Sequence, residues 1–353
     1  MRMWAALAGV VALAATGAAS AAHELPEMAV HEASNSLGTM EYRVFAPAGL
    51  QGRVPLFVHI HGGNVSVIDV SHQSRLNELA SARGFVVVYP QEDPSINAGI
   101  WDGEVAAAEG RGSRASSLIA QITRAVVADY PVDARRVFVG GISAGSTMAI
   151  VMAAQYPELY AAMQAEGGDR YGPITDDQEV SGRKVFEAMG SRARRIPFML
   201  SIGTLDPFGI TTNTDSVMRH WLIAHDWMDD GERNDSVSLL PTGTRTGRDG
   251  KRYDVDTYVD ADGCVLAERW LIHGMFHAYA GGDPAAIYDI TSDPNAPNMR
   301  EIAYDFFLDQ TDANGPPGCV MAVPAAGGGA FGSGALLLVA MMVSLRSAGG
   351  TRR

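Results

Sequence analysis

The sequence predicts one α/β domain with a doubly wound, mostly parallel sheet, and three observations predict it. Short apolar runs rich in Val, Ile and Phe recur along the chain, helix-like stretches separate them, and a hairpin with an amphipathic stretch closes the series. Runs that are apolar on both faces belong to strands covered on both sides, which in α/β proteins are parallel strands with helices on each face. The candidate strands are Glu41–Ala46, Leu56–His61, Phe85–Tyr89, Val137–Gly141, Ala162–Ala165 and Pro197–Ile202. Between them, His72–Arg83, Ser116–Ala128, Ser146–Gln155 and Asp215–Ala224 read as helices. Tyr253–Val259 and Val265–Ile272, joined through Ala261-Asp262-Gly263, read as a hairpin with an Asp-Gly turn. Asn298–Leu308 reads as a closing helix, with Met299, Ile302, Ala303 and Phe306 facing inward.

Composition is compatible with a sizeable core, at 353 residues, 47% apolar and 19% charged. No low-complexity linker or internal repeat interrupts residues 22–315, which are taken as a single domain. A formal charge of −13, with no basic cluster in that domain, repels a phosphate backbone and argues against nucleic-acid binding. Residues 1–21 have the form of an export signal: Arg2, the apolar run Trp4–Ala15, then Ala19-Ser20-Ala21 as a small-x-small cleavage site. At the other end, residues 316–353 hold Pro316-Pro317-Gly318-Cys319, the triplet Gly327-Gly328-Gly329, the apolar segment Ala330–Leu345, and Arg346, Arg352 and Arg353. Sixteen apolar residues are short of the roughly 20 that span a bilayer, but the terminal arginines fit a membrane stop. The tail resembles the glycine-glycine type of bacterial sorting signal, with a permanent anchor as the alternative. Either implies contact with membrane or sorting machinery and a domain held outside the cytoplasm. Cys264 and Cys319, the two cysteines, either pair in an oxidising compartment or leave Cys319 free for modification or removal.

The strongest local signal is Gly141-Ile142-Ser143-Ala144-Gly145, between the strand-like Arg136–Gly140 and an alanine-rich helix. Gly-x-Ser-x-Gly in that setting puts a serine on a sharp strand-to-helix turn, where flanking glycines let neighbouring chains pass closely. The turn also aims the backbone N–H of Ala144 at the place where an oxyanion would form, beside a helix N-terminus.

A serine hydroxyl attacks only when a base removes its proton. In this motif's setting the partners follow in the order serine, acid, histidine. Asp206, on the loop after an apolar strand in Ser201-Ile202-Gly203-Thr204-Leu205-Asp206-Pro207, is the candidate acid; Asp215 and Asp226 compete from helix-like stretches. His277 is the candidate base, in a glycine-flanked loop just past the last long strand, and His273 at that strand's end is its rival. His59-Ile60-His61-Gly62-Gly63-Asn64 is a His-Gly-Gly loop of the kind that supplies a second oxyanion donor, here Gly63, with His61 beside it.

These pieces in this order resemble the polyhydroxybutyrate-depolymerase-type esterases of the α/β-hydrolase superfamily, which include feruloyl and acetylxylan esterases. The resemblance extends over most of residues 35–310. It includes Gly84-Phe85-Val86-Val87-Val88-Tyr89-Pro90, Ile100-Trp101-Asp102-Gly103, Arg135-Arg136-Val137-Phe138-Val139-Gly140-Gly141 and Phe276-His277-Ala278-Tyr279-Ala280-Gly281-Gly282. It implies an α/β-hydrolase fold, Ser143, Asp206 and His277 as triad, and Gly63 and Ala144 as oxyanion hole. His61, Trp101 and Tyr279 become candidate substrate contacts. The chain departs from the family where Gly63 and Ile100 replace two frequent cysteines, and where Tyr279 and Ala280 replace Trp and Pro. No polymer-binding domain follows, so oligomers or small esters are expected ahead of an insoluble polyester.

The expected activity is therefore that of an exported serine esterase acting through an acyl-enzyme, with no metal or cofactor. A peptidase of the same fold would use the same triad. A surface binding protein that had lost activity would be expected to have lost part of it.

Overall fold

A computed structural model describes residues 27–208, 211–285, 292–311 and 319. The export signal expected at 1–21, and the glycine triplet, apolar segment and arginines expected after Cys319, lie outside the described residues. The elements run β1 (Ala29–Asn35), β2 (Gly38–Phe45), β3 (Val54–Ile60), α1 (Val67–Ser74), α2 (Leu76–Arg83), β4 (Val86–Pro90), α3 (Gly103–Glu109), α4 (Arg114–Asp129), β5 (Val132–Ile142), α5 (Ala144–Gln155) and β6 (Ala162–Glu166). They continue with α6 (Gln178–Met189), β7 (Phe198–Gly203), α7 (Thr211–Asp230), β8 (Gly243–Asp249), β9 (Lys251–Val259), β10 (Val265–Ile272), β11 (Tyr279–Ala280), β12 (Ser292–Asp293) and α8 (Met299–Thr311).

Ten strands form one sheet in the order β1-β2-β4-β3-β5-β6-β7-β10-β9-β8. The six central strands, β4 through β10 in that order, pair parallel. Antiparallel strands flank them on both sides. This is the α/β-hydrolase arrangement. The parallel strands are apolar because both faces are covered: all seven residues of β3 and all five of β4 and β6 are buried. Strand alternation divides them between two cores. Leu56, Val58 and Ile60 pack with Leu118, Ile122, Met148, Val217 and Trp221 of α4, α5 and α7. Phe57, Val87 and Phe138 face the other way, onto Val70, Leu76, Ala80, Ala303 and Phe307 of α1, α2 and α8. In the closing helix Met299, Ala303 and Phe306 are buried and Ile302 is half-buried.

The structure departs from expectation in two ways. The helix expected over His72–Arg83 is two helices, because Arg75 takes the left-handed conformation at φ 56° and its N–H closes back on His72 O at 3.2 Å. Elements α3, α6, β1 and β8 were not anticipated. In β8, Gly-Thr-Arg-Thr-Gly-Arg-Asp is polar on both faces and six of its seven residues are exposed, so it has no apolar alternation to read. Cys264 and Cys319 form a disulfide with a Cα–Cα distance of 5.2 Å, which ties residue 319 to the turn between β9 and β10.

Candidate active site

The site starts from two glycines. A Cβ on Gly141 would lie 2.4 Å from Ile60 O, and one on Gly145 would lie 2.2 Å from His61 O, so neither position admits a side chain. The glycines let β5 and α5 close against the end of β3. Between them Ser143 takes φ 58°, ψ −129°, a conformation that L residues adopt only when surroundings impose it. Its backbone is fixed on both sides: Ser143 N–H donates to Glu166 O at 2.8 Å, and Ser143 O accepts from Ser146 N and Thr147 N. Helix α5 begins at the next residue, with its N-terminus behind the serine.

The candidate acid and base, Asp206 and His277, follow adjacent parallel strands, β7 and β10, whose pairing brings their C-terminal loops side by side. Those loops are joined to each other. Leu205 N–H donates to Met275 O at 3.0 Å, Thr204 N–H to Ile272 O at 3.0 Å, and Gly274 N–H to Thr204 Oγ1 at 2.9 Å. Gly203 permits the approach, since a Cβ there would lie 2.1 Å from Met275 O. As a result His277 Nδ1 lies 2.7 Å from Asp206 Oδ2, while Asp206 Oδ1 accepts from Phe208 N–H at 2.9 Å. Asp206 is buried, so its charge faces the imidazole rather than water. His273 turns away, with Nε2 2.7 Å from Asp254 Oδ2 on β9. Asp215 and Asp226 belong to α7, where Asp226 accepts from Asn234 N, Val237 N and the Ser236 hydroxyl.

Two cavities of about 300 Å³ each meet at the serine. Gly63, Ile100, Ile142, Ser143, Ala144, Phe208, His277 and Tyr279 line the first, so both expected oxyanion residues share a cavity with the candidate nucleophile and base. Its walls are largely aliphatic and aromatic. Trp101, Asp102, Glu104, Ser143, Thr147 and Arg170 line the second, which is polar. Tyr279 is a wall of the first cavity, and its hydroxyl lies 3.0 Å from His59 Nε2. Trp101 lines the second, and its buried indole N–H has no acceptor among the described residues. His61 corrects the expectation of a substrate contact. It lines neither cavity, its Nδ1–H donates to Gly62 O, and its Nε2 accepts from Glu92 N–H at 3.0 Å. It shapes the glycine loop from inside, and burial lowers its pKa to about 4, so it is neutral there. A Cβ on Gly63 would lie 3.1 Å from Ile100 Cγ1, so the two positions where the sequence lacks the cysteines frequent in the resembled family adjoin each other.

Sequence reasoning missed three residues. Gly167, at φ 60°, leaves room for Asp206 and His277: a Cβ there would lie 2.9 Å from Asp206 Oδ2 and 3.2 Å from His277 Nδ1. Glu166 and Arg300 form a buried ion pair at 3.2 Å behind the serine turn. Burial raises the Glu166 carboxyl above the usual range, against the pull of the Arg300 guanidinium. A Glu-Gly pair at a strand end was the only available signal for the first two. Arg300 resembles a surface residue in a helical pattern and gave none.

Chemically, the arrangement offers a hydroxyl on a strained turn, an imidazole oriented by a buried carboxylate, and backbone N–H groups beside a helix N-terminus. Among the described residues, no group of three or more His, Cys, Asp or Glu side chains is arranged to hold a metal ion.

Residues 40–207 match the family described as esterase PHB depolymerase. A probable acetylxylan esterase A of Neosartorya fischeri is 35% identical over 136 residues, which is 38% of this chain and 36% of that protein. A poly(3-hydroxyalkanoate) depolymerase C of Paucimonas lemoignei is 31% identical over 137 residues, 38% of this chain and 32% of its own. The chain thus spans about a third of the length of these curated relatives. The solved structure of an acetyl xylan esterase from Aspergillus awamori superposes with a TM-score of 0.59 at 20% identity, covering 79% of this chain and 99% of that one, and shares the fold.

Proposed function

We propose that this chain, which belongs to the esterase PHB depolymerase family through residues 40–207, is a serine carboxylic-ester hydrolase with Ser143 as nucleophile. The observation that carries the reading is the 2.7 Å contact of His277 Nδ1 with the buried Asp206, on an imidazole that lines the same cavity as Ser143. Ser143 Oγ attacks the ester carbonyl as His277 Nε2 takes its proton. Asp206 holds the imidazole with Nδ1 protonated and stabilises the imidazolium that forms. The N–H groups of Gly63 and Ala144 receive the negative charge on the tetrahedral oxygen. His277 then protonates the departing alcohol, and water, deprotonated by the same imidazole, releases the acid from the acyl-enzyme.

The relatives' names support esters of acetylated xylan or hydroxyalkanoates as the substrate class. The two cavities that meet at the serine suit a substrate with one apolar and one polar side. The protein is exported. Its disulfide supports this, because such bonds persist in oxidising compartments, and residues 1–21 have the form of the signal that would direct it.

The test uses the full chain, so that Cys319 is kept, with p-nitrophenyl acetate and butyrate, acetylated xylan and hydroxybutyrate oligomers as substrates. Ser143→Ala should lower kcat on the p-nitrophenyl esters by roughly 10⁶-fold. A fluorophosphonate should label the parent protein and leave Ser143→Ala unlabelled. Equal turnover by the two proteins would overturn the assignment.

A further inference from the structure

We propose that Arg300 is a positioning residue of this site, a buried fork that holds the histidine loop, the serine turn and helix α1 in register with one another. The inference rests on the assignment of Ser143 and His277 above.

Arg300 sits in the first turn of α8 with its side chain 1% exposed, far from any surface role. Each part of its guanidinium reaches a different segment. Nε–H donates to Ser74 O, at the end of α1, at 3.0 Å. Nη1–H donates to Glu166 Oε1, at the end of β6, at 3.2 Å. Nη2–H donates to Ala280 O, three residues after His277. The guanidinium carbon also lies 5.4 Å from the ring centre of Tyr279. Each acceptor is attached to part of the reaction centre. Glu166 O receives the Ser143 N–H, Ala280 continues the His277 loop, and α1 contributes Val70 and Gln73 to the wall of the apolar cavity.

Stability alone does not account for such a device. Taking both charges out of water costs several kcal/mol per ion, and apolar residues of similar volume commonly replace a buried ion pair without loss. Apolar side chains cannot impose angles on three acceptors, whereas a planar guanidinium has five donors in fixed directions. A lysine keeps the charge but presents it at a single point. The fork therefore sets where the base loop stands relative to the nucleophile. A misplacement of about 1 Å between reacting groups can cost on the order of 100-fold in rate.

The experiment measures kcat, KM and thermal midpoint for the full-length parent, Arg300→Lys, Arg300→Met and the double variant Glu166→Gln/Arg300→Met, with p-nitrophenyl acetate. Active parent protein, and its loss of activity in Ser143→Ala, establish the underlying assignment independently of Arg300. Arg300→Lys should keep a midpoint near the parent's and an unchanged KM, while kcat falls about 10- to 100-fold. Arg300→Met leaves the buried Glu166 without its counter-charge, with only the Gln164 amide still donating to it, and should lose both stability and kcat. The double variant should recover the midpoint but not kcat. If Arg300→Met does not fold, Arg300→Lys and the double variant carry the test. A kcat within twofold of the parent in Arg300→Lys, or kcat recovering together with the midpoint in the double variant, would overturn the proposal.

Discussion

At Ser143 the strained backbone, with φ 58° and ψ −129°, is held by hydrogen bonds on both sides, so the point from which the side chain leaves the backbone is fixed. His277 is prepared in a similar way, because a carboxylate at 2.7 Å from Nδ1 selects the tautomer whose Nε2 is free to accept a proton. Asp206 is the sharpest place to test this. Asp206→Asn keeps the shape and the Phe208 contact but can present an amide N–H to Nδ1, so that the ring carries its proton on Nε2 and cannot act as base. The fold should be unchanged and kcat should fall by about 10⁴-fold, with little change in KM. Steady-state kinetics alongside a circular dichroism spectrum would check this, and a loss below tenfold would remove Asp206 from the triad. That Asp206 and His277 lie side by side could be expected from the sequence, because each follows an apolar strand and those strands pair in parallel. His61 was misread as a substrate contact because a His-Gly-Gly string does not say which way its histidine turns.

Among the elements, the strand-to-helix turn is the most tightly determined, since β3, β5 and α5 meet there with no space for one methyl group. Gly145→Ala places a Cβ 2.2 Å from His61 O, and relief requires moving either α5 or the loop that carries Gly63. We expect a cost of about 3 kcal/mol or more, beyond the usual range for overpacking because the obstacle is backbone. Esterase activity should be lost in whatever protein remains folded. Urea unfolding of the variant against the parent would measure the cost, and a change under 1 kcal/mol with full activity would contradict the close packing described here. The same density explains what was readable. Gly-x-Ser-x-Gly, β3, β4 and β7 are dictated by close approach and two-sided burial, and both leave marks in residue type. By contrast, β8 is a polar edge, α1 and α2 are separated by a left-handed arginine rather than by Gly or Pro, and Arg300 is buried only because acceptors from three distant segments converge on it. Tertiary context determines these, and local pattern does not record it.

Over the whole molecule, several histidines are buried without any role in proton transfer, and this sets the response to acid. Burial lowers His59, His220 and His225 to about 3, and His61 to about 4. In the unfolded chain each titrates near 6.5. Between these values the unfolded state binds protons that the folded state does not, so stability rises with pH and falls as pH drops below about 6.5. The slope is up to about 1.4 kcal/mol per pH unit for each histidine. The Cys264–Cys319 crosslink does not offset this trend, because it restricts the unfolded chain equally at every pH. Thermal melts from pH 8 to pH 4 should therefore show a midpoint that is steady above about pH 7 and falls as the pH drops below about 6. A midpoint that stays level down to pH 4.5 would mean that these imidazoles are hydrated and can take up protons in place, contrary to the dry packing of His59, His220 and His225 in the core.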